Sequence, residues 1–575
     1  MGRIVALVVL PFLAFTAMAA KKPVVPTYPI ALGDVRTTLD STVACDSQRK
    51  EGQKKIFPCQ LAEYEANGYG KWWYGAGYAC VGPNILTDSP DGAGCVFNVP
   101  YPPAAPAVKL LSFFSFSDIH ITDKESPAQR LYFGYQNYPY RESADYSGII
   151  LSTTHVLDAA VQTINAIHQK APFDFGISLG DACNNTQRNE LQWYVDVLDG
   201  KKITPSSGAH KGAKTIGYQK PYQSAGLDPS LPWYQVIGNH DQSWSGAVLP
   251  DAYIKKTLVG GRVLNIGPIP PVDPNTRGYY TGVVDGTTPY GTVIDAGATS
   301  YFPKPPRVVA DPRRRSLSIQ QWIGVFMKSK SLPIGHGFTK ETAKTGFACY
   351  SFHPKAGVPI KVIALDDTDK QGGATGELDN ERYTWLVNEL DAGEAAGELM
   401  IICAHVPVAP NPSNHYSTFS PHSNISAEEL LAKLWTYKNL LLWNAGHIHR
   451  NAITAQASPD KNPENSFWEV ETPSLREYPQ QFRRFDIYRD GDNNIVIYAL
   501  DVDPAVNPAL LADGSHSPAW NSRFYAVGGQ QIFGNIAPVT GTHIISSPTS
   551  GVCNAALVKQ LTPAMRAKIS KITKE

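Results

Sequence analysis

The sequence predicts an α/β core. Three observations lead there. Short apolar runs of strand length alternate with helical periodicity, as in Ser152–Lys170, where Val156, Ala160, Ile164 and Ile167 fall on one face. Five of the apolar runs stop abruptly at Asp, His or Asn, and in open α/β sheets functional groups gather beyond the carboxyl ends of strands. Hydrophobic residues make up 43% of the chain and charged residues only 18%, which excludes a largely disordered protein and allows a large core.

Taken in order, the chain opens on a basic Met1-Gly2-Arg3, an apolar run Ile4–Phe15, and Ala17-Met18-Ala19 before Lys21-Lys22. This pattern reads as a secretory signal peptide over 1–19, with a buried N-terminal helix as the alternative. The run is too short for a membrane span, and no later run is long enough. The expectation is an exported protein, periplasmic or secreted. Lys+Arg and Asp+Glu both number 51, so net charge carries no nucleic-acid-binding signal. Residues 20–107 form an extension rich in Pro, Gly and aromatics, with no helical period. Cys45, Cys59, Cys80 and Cys95 crowd into it. In an exported protein they predict two disulfides, with three possible connectivities. Zinc is the alternative, disfavoured because no Cys-x-x-Cys pair is present.

The main domain is expected over 108–500. Its first strand, Leu110–Phe116, ends at Ser117-Asp118-Ile119-His120. After the Ser152–Lys170 helix a second run, Phe173–Leu179, ends at Gly180-Asp181. A third, Trp233–Ile237, ends at Gly238-Asn239-His240-Asp241. Residues 200–230 read as an insertion, and 245–345 as a longer one, a lid or surface subdomain. Lys361–Leu365 is a strand ending at Asp366-Asp367, and Asn380–Leu390 a helix. Leu399–Ala404 is a strand ending at His405, and Leu440–Trp443 a strand leading to Gly446-His447-Ile448-His449. Strands follow at Arg484–Tyr488 and Ile495–Leu500, then a C-terminal extension over 501–575 with a short helix near Pro563–Ile572.

The strand ends thus offer Asp118, His120, Asp181, Asn239, His240, His405, His447 and His449. Oxygen and imidazole donors without thiolate suit Zn, Mn, Fe or similar divalent ions. In Asp118-x-His120 and His447-x-His449 the two polar residues share one side of an extended segment, so both can face one cluster.

The ordered series Asp-x-His, Gly-Asp, Gly-Asn-His-Asp, His, Gly-His-x-His resembles the calcineurin-like metallophosphoesterase superfamily, with all five motifs in family order from Asp118 to His449. The resemblance implies a sandwich of two mixed β-sheets flanked by helices, with a dinuclear metal site at the strand carboxyl ends. It implies that Asp118, His120 and His449 hold one divalent ion, that Asn239, His405 and His447 hold the other, and that Asp181 bridges them. His240 would be the general acid, oriented by Asp241. The implied activity is hydrolysis of a phosphomonoester or phosphodiester in a small phosphorylated substrate. Paired metals suit such chemistry because they lower the pKa of water and clamp both oxygens of an in-line displacement. The rival reading is a non-catalytic binding or structural protein that keeps this fold, against which stands the completeness of the motif set.

Each residue also has a plainer reading. Asp118 and Asp181 could cap helices, and His405 could be a satisfied loop histidine. His415 and His422 could line a substrate mouth or be ordinary polar loop residues. Arg313-Arg314-Arg315 could meet a phosphate or form a solvated charged turn. Asp366 and Asp367 read as structural, and Cys183 as buried filler. The sequence departs from the related purple acid phosphatases, which place a Tyr three residues after the bridging Asp. Here that position is Asn184, so a ferric phenolate centre is not expected.

Overall fold

The strands anticipated beside the motifs form, and they divide between two mixed sheets. The computed structural model describes residues 37–46, 50–56, 60–82, 97–131, 147–210, 220–264, 282–296, 307–408, 419–420, 422–506, 508, 510–511, 514–533, 543–545 and 553–573. The expected signal peptide, Cys59, Cys95 and His415 lie outside these residues.

In the eight-stranded sheet, Val108–Phe116 is flanked by Phe175–Ser178, and that strand by Trp233–Gln235 at the edge; all three run parallel. On its other side come Phe482–Arg489 and Ile495–Val502, both antiparallel to their neighbours. In the seven-stranded sheet, Ile360–Ala364, Leu399–Cys403, Leu440–Ala445 and Phe467–Glu471 run parallel in that order. Parallel neighbours expose their carboxyl ends along one edge, so each sheet delivers a row of loops to the same rim.

Strand alternation explains how the layers pack. Ile360, Val362 and Ala364, with Leu399, Ile401 and Cys403, point into a core shared with Phe113, Phe175, Phe485 and Ile487 of the other sheet. The intervening residues Ile363, Met400 and Ile402 point the opposite way. There they meet Leu386 and Leu390 of the helix Asn380–Ala396, and Leu430 and Leu434 of Ala427–Leu434. The helix Thr153–Lys170 covers the outer face of the eight-stranded sheet, burying Val156, Ala160, Ile164 and Ile167 as their spacing predicts. Both faces of the parallel strands are therefore apolar, which is why they read as continuous runs.

Four segments are more integrated than their sequences predict. Cys80–Gly82 and Phe97–Val99, in the extension expected to be irregular, are strands of the large sheet. Ala555–Lys559, from the C-terminal extension, sits between Ile495–Val502 and Cys80–Gly82. Within the 245–345 insertion, the helix Ile319–Phe326 buries Trp322, Ile323 and Phe326 in the main core. Strands of three to five residues are too short to show a period, and the helix lies among Pro-rich loops that mask it. Among the described residues no disulfide is formed; Cys45 and Cys80 are buried and not joined to each other. Among the same residues no helix is long and apolar enough to cross a membrane.

Candidate metal centre

The carboxyl ends of three adjacent strands in one sheet face those of two adjacent strands in the other. From the first come Asp118 and His120, Asp181, and Asn239; from the second, His405, then His447 and His449. Asp118, His120, Asp181, His447 and His449 all adopt positive φ, between 46° and 68°. That left-handed conformation is uncommon outside glycine, and Asp and His are among the side chains that tolerate it best. Such outliers gather where the surrounding structure over-determines the backbone. The flanking glycines are there for closeness. A Cβ on Gly238 would lie 2.2 Å from Asp181 Oδ1, and one on Gly446 would lie 1.9 Å from Ser117 Oγ and 2.6 Å from Asp118 Oδ2.

The seven side chains converge in two overlapping halves. In one, Asp118 Oδ1 is 3.2 Å from His449 Nε2, which is 3.1 Å from His120 Nε2. In the other, His405 Nε2 is 2.7 Å from Asn239 Oδ1 and 3.2 Å from His447 Nδ1. Asp181 Oδ2 stands between them, 3.5 Å from both His120 Nε2 and His405 Nε2. Its Oδ1 accepts the His240 backbone N–H at 2.8 Å. Three groups have donor atoms close enough to share an ion: Asp118, His120 and His449; His120, Asp181 and His240; Asp118, Asp181 and His405.

The donor set fits divalent cations. Asp118 Oδ1 is buried and faces only the imidazoles of His449 and His120, at 3.2 and 3.7 Å, so its charge needs a cation, protonated ring or metal, beside it. Imidazole nitrogens aimed at one another and at carboxylates share protons that a metal would displace. Burial alone would raise Asp118, yet His449 and His120 hold its carboxyl well below the usual range. Asp181 is held low against burial by His405, His240 and His120. His405 is pushed up to about 10 because Asp181, then Asp118 and Asp367, outweigh its burial. His447 is lowered to about 4 by burial and by His405.

The far side of each ring is anchored, which fixes orientation. His405 Nδ1 donates to the Leu179 carbonyl at 2.8 Å, and His449 Nδ1 meets the Glu477 carboxylate. Asp367 accepts the backbone N–H groups of His405 and Val406 at 3.1 and 3.0 Å, holding that loop. Glu477 was not singled out from the sequence. It follows Phe467–Glu471, where Glu469 and Glu471 interrupt the apolar pattern; an acidic residue a few positions beyond a short strand was the available signal.

His240 lies beside the cluster, its ring edge-on to that of His120 at 4.3 Å between centroids. The orienting role expected of Asp241 is corrected. Asp241 accepts from Gly238 N at 2.9 Å and from Cys183 N at 3.1 Å. As an acid in the first turn of the short helix Asn239–Gln242 it folds back on the N–H of Gly238 before that turn, while Cys183 N reaches it from the loop after Asp181. His240 Nδ1 instead donates to the Asn184 carbonyl at 2.8 Å. In the basic cluster Arg315 is exposed and Arg313 partly so, as a solvated turn would have them, and only Arg314 departs. Arg314 is fully buried between Asp123 Oδ2 at 3.1 Å and Ser207, while Arg313 pairs with Asp311 and Arg315 with Gln321. His422 is half exposed, 3.3 Å from Asp369. Cys183 is buried with Sγ 3.3 Å from Asp241 Oδ1.

No protein-family profile and no curated protein matches this chain. Among solved structures, a dimetal phosphatase from Danio rerio is similar at 11% identity, covering 69% of this chain and 100% of its own, with a TM-score of 0.36. The sulfate thiohydrolase SoxB of Thermus thermophilus, in complex with glycerol, is similar at 12% identity over 68% of this chain and 55% of its own, with a TM-score of 0.25.

Proposed function

We propose that this chain is an exported, metal-dependent phosphoesterase that hydrolyses phosphomonoester or phosphodiester bonds in a small phosphorylated substrate, using two divalent ions drawn from Mn, Zn or Fe. The observation that carries the reading is the position of Asp181 Oδ2, equidistant at 3.5 Å from one imidazole of each half of the cluster. The ordered motifs and their resemblance to calcineurin-like metallophosphoesterases support it further.

In this reading Asp118, His120 and His449 hold one ion, Asn239, His405 and His447 hold the other, and Asp181 serves both. When bound, the pair would activate a water and stabilise the attacking and leaving oxygens of an in-line displacement. The two carboxylates cancel only part of the four positive charges, so the site attracts an anionic phosphate ester. His240 supplies the proton to the leaving oxygen. Its Nδ1 proton is committed to a carbonyl that can only accept, so the proton transferred is the one the imidazolium carries on Nε2, which leaves the neutral Nδ1–H ring.

The test is to purify the protein, measure bound metal, and assay phosphomonoesters and phosphodiesters with added Mn, Zn, Fe or Mg, before and after a chelator. Metal-dependent turnover that the chelator removes and metal restores is expected. Tightly bound metal with no turnover across the panel would instead make this a binding protein, and activity indifferent to the chelator would remove the metal role.

A further inference from the structure

Five strand ends carry the motifs, but others meet the same rim. One belongs to Phe467–Glu471, which lies beside Leu440–Ala445 in the seven-stranded sheet. Its exit, Ser474-Leu475-Arg476-Glu477, crosses to the other sheet. Ser474 forms an isolated parallel bridge with Ser117, and Leu475 N donates to the Ser117 carbonyl at 3.1 Å. Ser474 Oγ donates to the Asp118 carbonyl at 2.7 Å and accepts from Arg476 N at 2.9 Å. The loop is thus fixed to the backbone of a motif residue before its two charged side chains are placed.

Arg476 is only 1% exposed. Its Nη1 donates to Asn184 Oδ1 at 2.6 Å. The other end of that amide, Nδ2, donates to Gln129 Oε1 at 3.0 Å, so the Asn184 side chain is gripped at both atoms. The Asn184 backbone N–H is tied to the Ile121 carbonyl at 3.2 Å. What remains is its carbonyl, which takes the His240 Nδ1 proton at 2.8 Å. A peptide carbonyl carries no charge to hold an imidazole. Its hold depends on the peptide plane staying where it is; the Asn185 N–H of that plane donates to Glu190 Oε2 at 2.8 Å, and the bond from Arg476 holds the Asn184 side chain beside it.

We propose that Arg476 is a positioning residue for His240, acting through Asn184, whose clamped peptide carbonyl fixes the imidazole with Nδ1–H inward and Nε2 toward the reacting ester. The role rests on the reading of His240 as the proton donor.

The test uses the full mature protein loaded with Mn, and the variants Arg476→Met, Arg476→Lys, Asn184→Ala, their Met/Ala double, and His240→Asn. The probes are glycerol phosphate, a poor leaving group, and 4-nitrophenyl phosphate, a good one. Arg476→Met and Asn184→Ala are each expected to lower kcat on glycerol phosphate by about 10- to 100-fold, the usual cost of losing an outer partner. KM, bound metal and turnover of the nitrophenyl ester should stay near wild type, and Arg476→Lys should recover part of the loss. Because both act on one carbonyl, the double variant should lose no more than the worse single. Without any turnover, 15N spectra of the His240 ring across a pH titration should show Nδ1 protonated throughout in the wild type, with Nε2 the nitrogen that gains and loses the proton, and a mixture of tautomers of the neutral ring in both single variants. If Arg476→Met does not fold, Asn184→Ala carries the same comparison. A raised KM with unchanged kcat would make Arg476 a substrate contact. Equal losses on both esters, lost metal, additive losses or an unchanged tautomer would each overturn the positioning role. A His240→Asn variant equally impaired on both esters would overturn the acid reading itself, whereas a graded His240→Asn profile beside flat Arg476 and Asn184 variants would overturn only the present inference.

Discussion

His449 places Nε2 against Asp118 and His120 while its Nδ1 rests on the carboxylate of Glu477. Glu477 follows the seven-stranded sheet and Asp118 the eight-stranded one, so a single imidazole joins the two halves of the sandwich at the rim.

Replacing Glu477 by Gln keeps the shape but removes the charge that fixes this ring. Affinity at the half of the site containing His449 should fall by about 10- to 100-fold, while the His405 half keeps its ion. Metal titration of the apo-protein, read as two separate binding steps, checks this; two unchanged steps would show that the carboxylate is not a support.

Asp181 serves both halves, so Asp181→Asn should weaken both ions and nearly abolish turnover. His405→Ala should lower bound metal chiefly in its own half. Gly238→Ala gives an independent check, since its Cβ would strike Asp181; it should reproduce the Asp181 phenotype in a folded protein. Full metal occupancy in Asp181→Asn would contradict the shared role.

Asn184 stands three residues after Asp181, and its side chain, a neutral amide, is turned to Arg476 and Gln129. The loaded protein should be colourless, with no visible charge-transfer band, and a chelator should strip it reversibly. Visible absorption that persists through chelation would mean that another residue supplies a charged ligand.

Arg314 and Asp123 are both fully buried and bonded to each other. Arg314→Met leaves the carboxylate without its charge partner, and stability should fall by about 3–5 kcal/mol. Denaturant unfolding measures this, and a loss below about 1 kcal/mol would show that Ser207 and Asn189 satisfy Asp123 alone.

The parallel strands were legible because burial on both faces leaves continuous apolar runs, and the motifs because each sits immediately after such a run. The helix at Ser152 showed itself through a period carried by four apolar residues. These are local patterns, and local patterns determined the α/β class, the seven candidate ligands and His240. What lay beyond them is non-local. The hydrogen bond from Ser474 to Asp118 spans 356 positions, and that from Arg476 to Asn184 spans 292. No spacing in the chain encodes either, because both depend on which strand lies beside which and on the register between them. Asp241 shows the same limit at short range. Its neighbour in sequence, His240, is bonded to Asn184 instead, while the N–H groups of Gly238 and of the distant Cys183 hold the Asp241 carboxylate. The sequence by itself determined which donors end the strands. Only the tertiary structure decided which of them share an atom, which rings are held and by what, since those contacts exist only once two sheets have brought their carboxyl ends together.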